Sequence, residues 1–207
     1  MISEKDFIFN ETTASVANGS FQWSAPSNIA LVKYWGKKDH QIPANPSISF
    51  TLNSCKTITK LSFEKKQEVS NFSFDLLFEG KPKEDFKPKI QKFFERIAVY
   101  CPYLTSFHFT IDTQNTFPHS SGIASSASGM AALAMNIMSL EKLLNPEMSD
   151  DYFYQKASFL ARLGSGSACR SVKGSIVVWG KHAEISGSTD LFGVPFSSEV
   201  HSNFKNY

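Results

Sequence analysis

The chain has 207 residues, of which 42% are hydrophobic and 19% are charged, and its formal net charge is +2. These values are ordinary for a globular protein, and so small a net charge gives no overall attraction to nucleic acid or to an anionic membrane. The length allows one large domain, or one domain and part of a second. The 19 phenylalanines predict a core rich in aromatic packing.

Cysteines and histidines give no sign of a metal site. Cys55, Cys101 and Cys169 have no paired spacing, so neither a disulfide framework nor a zinc site is expected, and Cys169 is interpreted as a packing residue. The five histidines are scattered singly. The first residues are charged where a signal peptide needs an apolar stretch, and no apolar run approaches the ~20 residues of a membrane span. The sequence therefore predicts a cytoplasmic protein with reduced thiols.

The first half of the chain has the patterns of β-strands. Residues 1–20 are polar without a clear period and are interpreted as an N-terminal extension. The β-rich run at 21–35, between a proline and a glycine, predicts a strand or a hairpin. Three further strands are predicted from apolar residues in alternation, at 47–52, 57–63 and 72–78.

Helical patterns dominate the second half. Apolar residues at helical spacing after Pro88 predict an amphipathic helix over 89–100. Alternation at 107–111 predicts another strand, and Ser149 before two aspartates predicts a helix that ends near Gly164. A last strand is expected at 174–179. This order favours an α+β fold in which helices cover one face of a mixed sheet.

The most informative stretch is a loop that becomes a long helix, between Asn115 and Ser139. A helix whose first turn holds only small residues leaves its free N–H groups open to an anion, and the macrodipole favours negative charge there. The loop is therefore predicted to bind phosphate groups, with an ordinary helix cap as the alternative. The predicted phosphate-loop residues are Pro118, Gly122, Ala124, Ser125, Ser126, Ala127 and Ser128.

Two other segments are rich in hydrogen-bond donors. The first contains Asn28, Tyr34 and Lys37, whose amide, phenol and ammonium groups suit a polyanionic small molecule, although a solvated strand end is the alternative. The second, at 162–171, contains Gly-Ser-Gly-Ser followed by Arg170, whose guanidinium can pair with a planar anion. A linker is the alternative there, and the predicted strand that follows argues against it.

These segments carry a family resemblance. The central stretch lacks the glycine order of a P-loop or a dinucleotide-binding loop. Its Pro-x-x-x-Gly-x-x-Ser-Ser-Ala pattern resembles the phosphate loop of the GHMP kinase superfamily, with Ile123 in place of leucine. Within that superfamily, Lys-Tyr-Trp-Gly-Lys at 33–37 and Gly-Ser-Gly-Ser-Ala-Cys-Arg at 164–170 resemble the diphosphomevalonate decarboxylase family. The resemblance covers roughly residues 22–180.

The resemblance implies an ATP-dependent carboxy-lyase of isoprenoid biosynthesis. With ATP and Mg²⁺, such an enzyme of the mevalonate pathway converts mevalonate 5-diphosphate into isopentenyl diphosphate. Phosphorylation of the tertiary hydroxyl creates a leaving group, and loss of carbon dioxide forms the double bond, so the protein supplies positioning and charge compensation. By similarity, the substrate-binding residues would be Asn28, Tyr34, Lys37, Ser165, Ser167 and Arg170. Arg170 would also be catalytic, since it would orient the carboxylate that is lost.

The resemblance also implies the fold of a GHMP kinase N-terminal domain, which resembles an RNA-binding ribosomal-protein domain. The expected division is an extension at 1–20, an ATP- and substrate-binding domain at 21–185, and the start of a largely absent second domain at 186–207. The family's catalytic aspartate would lie beyond residue 207, and Asp190, in a predicted loop, is no convincing substitute. The chain is therefore expected to be truncated and inactive alone. Since family members are commonly homodimers, a homodimer is a further possibility.

Three other functions stay open at this stage. One is another GHMP small-molecule kinase, such as a mevalonate or phosphomevalonate kinase, which stops after phosphoryl transfer. Another is a non-catalytic anion- or RNA-binding domain, since residues 81–92 are basic, although the small net charge counts against nucleic acid. The third is a homologue without catalytic activity that is kept for assembly.

Overall fold

The computed structural model describes residues 2–10, 14–69, 71–118 and 122–201. In these ranges, seven strands form one mixed sheet and three α-helices cover one of its faces, so the predicted α+β fold is confirmed. The strands are β1 Asn18–Val32, β2 Ser47–Lys65, β3 Ser73–Phe78, β4 Lys81–Pro82, β5 Phe107–Asn115, β6 Ile176–Trp179 and β7 Val194–Pro195. The helices are α1 Lys87–Ile97, α2 Ser125–Leu144 and α3 Asp150–Gly164. None of these helices is long and apolar enough to cross a membrane.

The 19-residue strand β2 is the centre of the sheet. One of its edges pairs antiparallel with β1, and the other pairs first with β6 and then with β5. The prediction of two separate strands, at 47–52 and 57–63, is wrong. The intervening polar side chains break the alternation of apolar residues, but the backbone continues as one strand, and a register shift opposite Pro26 and Asn28 accommodates the irregularity.

Helix α2 runs through the middle of the core. In the sequence, Met130, Leu133, Ile137 and Leu140 recur at helical spacing, which predicts a single apolar stripe. Most positions of α2 are nevertheless buried, because it packs against β1 and β2 on one side and against α3 on another. Ala131, Ala132 and Ala134 are fully buried, and such small side chains let neighbouring elements approach closely. The single-stripe prediction is therefore incomplete.

The aromatic core expected from the composition lies between α1 and the sheet. Phe94 of α1 is fully buried and makes edge-on contacts with Phe72, Phe74 and Phe109, with ring centroids 5.4 to 5.8 Å apart. Such edge-to-face pairs add to the stabilisation that comes from burial itself. They fix α1 over β3 and β5.

Residues 2–10 pack on α3. A short 3-10 helix, Glu4–Phe7, inserts Phe7 into the core, where its ring stacks on Phe159 at 4.6 Å. Glu4 accepts a hydrogen bond from the hydroxyl of Tyr100 at 3.0 Å and forms an ion pair with Arg162 at 3.1 Å. This part of the predicted extension is therefore fixed to the domain by both apolar and charged contacts.

A buried ion pair joins α2 to α3. Lys156 Nζ lies 2.7 and 2.6 Å from the two carboxylate oxygens of Glu141, and neither side chain is accessible to solvent. The hydroxyl of Tyr103 also donates to Glu141, at 2.9 Å. Burial raises the pKa of Glu141, and the charge and hydrogen bonds of Lys156 oppose that shift. Since each charge offsets the desolvation of the other, losing one partner should be more damaging than neutralising both.

We expect Lys156→Met to lower the free energy of unfolding by about 3–5 kcal/mol, because it leaves Glu141 buried without its counter-charge. Adding Glu141→Gln should restore much of this loss, since the amide oxygen still accepts from Tyr103 without carrying charge. Urea unfolding of the wild type, the single variant and the double variant measures the effect. A double variant no more stable than Lys156→Met would contradict this interpretation of the pair.

Candidate active site

Two neighbouring residues of β1 join the predicted anion-binding segments. Ser27 and Asn28 are both buried, at the register shift of β1. The hydroxyl of Ser27 lies 3.4 Å from that of Ser128, in the first turn of α2. The side-chain amide of Asn28 donates to the hydroxyl of Ser171 at 2.7 Å and to the carbonyl of Ser167 at 3.1 Å. Helix α2 also packs against residues 166–171, so these two predicted anion-binding segments are neighbours in the fold.

Arg170 is buried and has no acidic partner within the described ranges. Only 2% of its surface is exposed, and its Nε and Nη1 groups donate to the hydroxyls of Ser49 and Ser47, at 2.9 and 2.6 Å. Nη2 makes a longer contact of 3.4 Å with Oδ1 of Asn28. No carboxylate of the described residues forms an ion pair with this guanidinium. Burial lowers the pKa of Arg170, so an incoming anion would compensate a charge that is poorly solvated.

Two aromatic rings form a wall beside Arg170. Its guanidinium carbon lies 5.8 Å from the ring centre of Tyr34 and 5.7 Å from that of Trp179, and the two rings meet edge-on at 4.9 Å. Lys37 is exposed, with Nζ 5.6 Å from the ring of Tyr34. Asn45 fixes the backbone on both sides of Tyr34, since its side chain accepts an N–H at 2.7 Å and donates to a carbonyl at 3.0 Å. The structure thus brings Tyr34, Lys37 and Arg170 together, and their roles in binding substrate stay predictions.

The Gly-Ser-Gly-Ser segment is a packed turn, so the linker alternative is wrong. Ser165 follows the last residue of α3, and a short 3-10 helix, Gly166–Ser171, comes next. A Cβ atom at Gly166 would lie 2.9 Å from the ring of Trp179, so this position has no room for a side chain. The hydroxyls of Ser165 and Ser167 are half-buried and form no hydrogen bond within the described ranges. They remain available to a ligand.

Asn28 and Cys169 hold this site in shape. Both ends of the Asn28 carboxamide are engaged inside the protein, so its place is that of a positioning residue rather than a direct substrate contact. Burial raises the pKa of the Cys169 thiol to about 12, which leaves almost no thiolate near neutral pH. Cys169 is 1% exposed and approaches the carbonyl of Gly166 at 3.0 Å, so its interpretation as a packing residue is sound.

The start of α2 presents backbone donors. Gly122 and Ala124 have positive φ angles of 81° and 56°, so the backbone just before the helix is in the left-handed conformation. The N–H of Ala127 is bonded to the carbonyl of Ala124 at 2.8 Å. The N–H groups of Ser125 and Ser126 have no acceptor in the described part of the chain, and Ser126 is exposed. These two groups can therefore bind an anion.

The other predicted loop residues have different surroundings. Ser128 is fully buried, and its hydroxyl lies 2.6 Å from that of Thr57 and 3.1 Å from the carbonyl of Ser125. These contacts attach α2 to β2 and leave the hydroxyl inside the protein, and Ala127 is likewise buried. Residues 119–121 of the predicted loop lie outside the described ranges, so phosphate binding near Pro118 stays a prediction.

A cavity of about 170 Å³ opens beside the N-terminal end of α2. Ser125, Ser126 and Asn115 lie at its polar part, together with the exposed Lys89, whose pKa is lowered by partial desolvation of its ammonium group. Its apolar lining consists of Leu76, Phe78, Phe86, Ile90, Ile111, Met130 and Leu133. Such a cavity, next to free N–H donors, suits a flat apolar ring joined to phosphate groups. Sequence reasoning missed these residues because each one fits the apolar pattern of its own element.

Comparison with known proteins agrees with this arrangement. Residues 25–190 match the family model of the diphosphomevalonate decarboxylase-like N-terminal domain, so the chain belongs to that family. It is 35% identical over 190 residues to the diphosphomevalonate decarboxylase of Ganoderma lucidum, covering 86% of this chain and 45% of that protein. It is 38% identical over 167 residues to that of Candida albicans, covering 75% and 44%. The chain thus spans a little under half the length of these relatives.

Solved structures give the same result. The mevalonate diphosphate decarboxylase of Staphylococcus aureus matches with a TM-score of 0.68 and 33% identity, over 87% of this chain and 51% of that one. The Enterococcus faecalis enzyme, studied for mevalonate diphosphate mediated ATP binding, matches with a TM-score of 0.67 and 31% identity, over 87% and 52%. A complex of MDDEF with MVAPP, AMPPCP and magnesium has a TM-score of 0.66 and 31% identity, over 90% and 52%. The family and fold predicted from the motifs are confirmed.

We expect Ser126→Glu to abolish binding of MgATP while leaving the fold intact. The new carboxylate would occupy the anion position at the start of α2, where a negative side chain stabilises the helix by about 0.3–1 kcal/mol. Fluorescence titration with a labelled ATP analogue and thermal unfolding measure the two effects separately. Gln67→Glu, at an exposed position beyond the far end of β2, controls for the change in net charge. Unchanged nucleotide affinity in Ser126→Glu would contradict this assignment.

Proposed function

We propose that this chain supplies the nucleotide- and substrate-binding part of an ATP-dependent diphosphomevalonate decarboxylase. The proposed reaction is the decarboxylation of mevalonate 5-diphosphate to isopentenyl diphosphate. The observation that carries the proposal is the buried Arg170, which has no counter-ion among the described residues and lies near Tyr34, Lys37 and the hydroxyls of Ser165 and Ser167. The family membership and the names of the relatives support the same reaction.

The two anionic ends of the substrate match different cations of the site. Arg170 offers a planar guanidinium in a desolvated position, which suits a carboxylate, because such pairs are often bidentate and are strengthened by low polarity. Lys37 is exposed and carries a compact charge on a flexible chain, which suits a diphosphate. The hydroxyls of Ser165 and Ser167 and the phenol of Tyr34 would complete the diphosphate contacts.

The start of α2 and the adjoining cavity fit ATP. The N–H groups of Ser125 and Ser126 would hold phosphate oxygens, and the apolar cavity would receive the base. The described residues contain no cluster of three metal-ligating side chains. Mg²⁺ would therefore be bound largely by phosphate oxygens and water, as is usual for this ion. ATP would supply the phosphoryl group that turns the substrate hydroxyl into a leaving group.

The neighbouring residues Ser27 and Asn28 explain how the two ligands would be held side by side. Ser27 contacts the first turn of α2, and Asn28 contacts both Arg170 and the turn that follows α3. Phosphoryl transfer depends on such positioning, together with compensation of negative charge. Asp190 is engaged in its own loop, where Oδ1 accepts the N–H of Lys181 at 2.8 Å. The homodimer and the need for a further acidic residue stay predictions.

A pair of ligands tests the assignment of Arg170. We expect Arg170→Gln to weaken binding of mevalonate 5-diphosphate at least tenfold, since truncating one member of a buried charge pair removes about 2–5 kcal/mol. Binding of isopentenyl diphosphate, which lacks the carboxylate, should change little. Retained binding of this ligand would also show that the variant is folded. Isothermal titration calorimetry measures both affinities. Equal losses for the two ligands would contradict the proposed role.

Phosphorus NMR of this chain and, beside it, of a longer version of the same gene, each with MgATP and mevalonate 5-diphosphate, separates the decarboxylase from a GHMP small-molecule kinase. Because this chain is expected to be inactive alone, product is expected from the longer protein only. Isopentenyl diphosphate as product supports the proposed reaction. A phosphorylated product that retains its carboxylate would instead identify a kinase.

A further inference from the structure

One side chain at the edge of the candidate substrate site has no assigned role. Gln41 belongs to a short turn, Asp39–Gln41, and its Oε1 atom is buried without a hydrogen-bond partner within the described ranges. This atom lies 3.5 Å from the point that a Cβ atom of Gly166 would occupy, and Cε of Lys37 lies 3.3 Å from the same point. The carboxamide of Gln41 and the side chain of Lys37 therefore converge on the Gly-Ser-Gly-Ser turn.

The backbone of this turn is held in an unfavourable conformation. His40 and Gln41 both have left-handed φ angles, of 56° and 61°. Residues other than glycine rarely adopt this region, and two in succession persist only where the surroundings impose them. A buried polar atom without a partner is a second unfavourable feature at the same residue. The left-handed backbone and the buried oxygen therefore occur at the same residue, beside Lys37. This combination indicates a ligand-binding position.

A buried arginine imposes the conformation. Arg162 is fully inaccessible, and its Nη1 group donates to the carbonyl of His40. Its other nitrogen atoms are fixed by the carbonyl of Leu191, at 2.8 Å, and by the carboxylate of Glu4, at 3.1 Å. Because Arg162 is anchored on two further elements, it fixes the position of the turn and with it the direction of the Gln41 side chain.

We infer that Gln41 is a further ligand-binding residue of the substrate site, where its amide donates a hydrogen bond to a phosphate oxygen held beside Lys37 and Gly166. The inference rests on the proposed function, which places a diphosphate there. A half-turn of the carboxamide exchanges its oxygen for its nitrogen, so the buried position can present a donor when an anion arrives. The amide would add a donor for the diphosphate without adding charge.

Three variants test the inference by calorimetric titration with mevalonate 5-diphosphate and with inorganic diphosphate. Gln41→Met keeps a similar length and removes the amide, and it should weaken binding about tenfold or more. Gln41→Glu keeps the shape but replaces the donor with a negative charge, and it should weaken binding further. Gln67→Glu adds the same charge away from the site and should bind like the wild type.

Stability distinguishes a ligand contact from a structural role. Gln41→Met removes a buried oxygen that has no partner in the described part of the chain. Its urea unfolding midpoint should therefore be no lower than that of the wild type, although its affinity is reduced. Its affinity for MgATP should also be unchanged.

Any other outcome would contradict either the proposed function or the role of Gln41. A wild-type chain that binds neither diphosphate ligand would overturn the proposed function and this inference together. A wild type that binds, with Gln41 variants of equal affinity, would overturn the inference alone. Binding by Gln41→Glu as tight as that of the wild type would show that Gln41 accepts a hydrogen bond, which contradicts the donor role.

Discussion

The candidate site depends on the burial of one guanidinium group, that of Arg170, which has no acidic partner in the part of the chain that the structure describes. Two serine hydroxyls and an amide oxygen hold Arg170, but they carry no charge to offset its desolvation. A buried cation in this state is unfavourable for stability, and an anionic ligand would relieve it. The surrounding elements keep the cation in place: β2 supplies the serines, β1 supplies Asn28, and the rings of Tyr34 and Trp179 face the guanidinium.

A second buried arginine, Arg162, differs from Arg170 because it has an acidic partner. Arg162 lies eight residues earlier in the chain and is fully paired, with the carboxylate of Glu4 and two backbone carbonyls. Its partners complete its hydrogen bonding inside the protein, so its role is structural. Arg162 therefore stabilises the fold, whereas the unpaired charge of Arg170 in the described part of the chain is available to an anionic ligand.

The fold brings distant segments to this position through the length of β2. Residues 47–50 of β2 pair with β6 beside Arg170, and residues 57–65 pair with β5 beneath the start of α2. Strand β1 follows β2 and changes register at Pro26 and Asn28. The irregularity places Ser27 and Asn28 so that one contacts α2 and the other contacts the turn after α3.

Local patterns were enough to predict most elements and the main motifs. The helix start at Ser149 is confirmed by its hydroxyl, which accepts the N–H of Tyr152 at 3.2 Å, and the spacing of apolar residues located α1 and β3 correctly. The motifs around Tyr34 and Arg170 were recognisable because each is continuous in sequence. Gln41 gave no such signal, since its turn is held at His40 by Arg162, which is more than a hundred residues away in sequence.

The most direct test is a crystal structure of this chain with mevalonate 5-diphosphate. The present interpretation predicts that the substrate carboxylate lies about 2.7–2.9 Å from the guanidinium nitrogens of Arg170, with the diphosphate near Lys37. A bound substrate whose carboxylate lies elsewhere, with Arg170 still contacting only Ser47, Ser49 and Asn28, would contradict it.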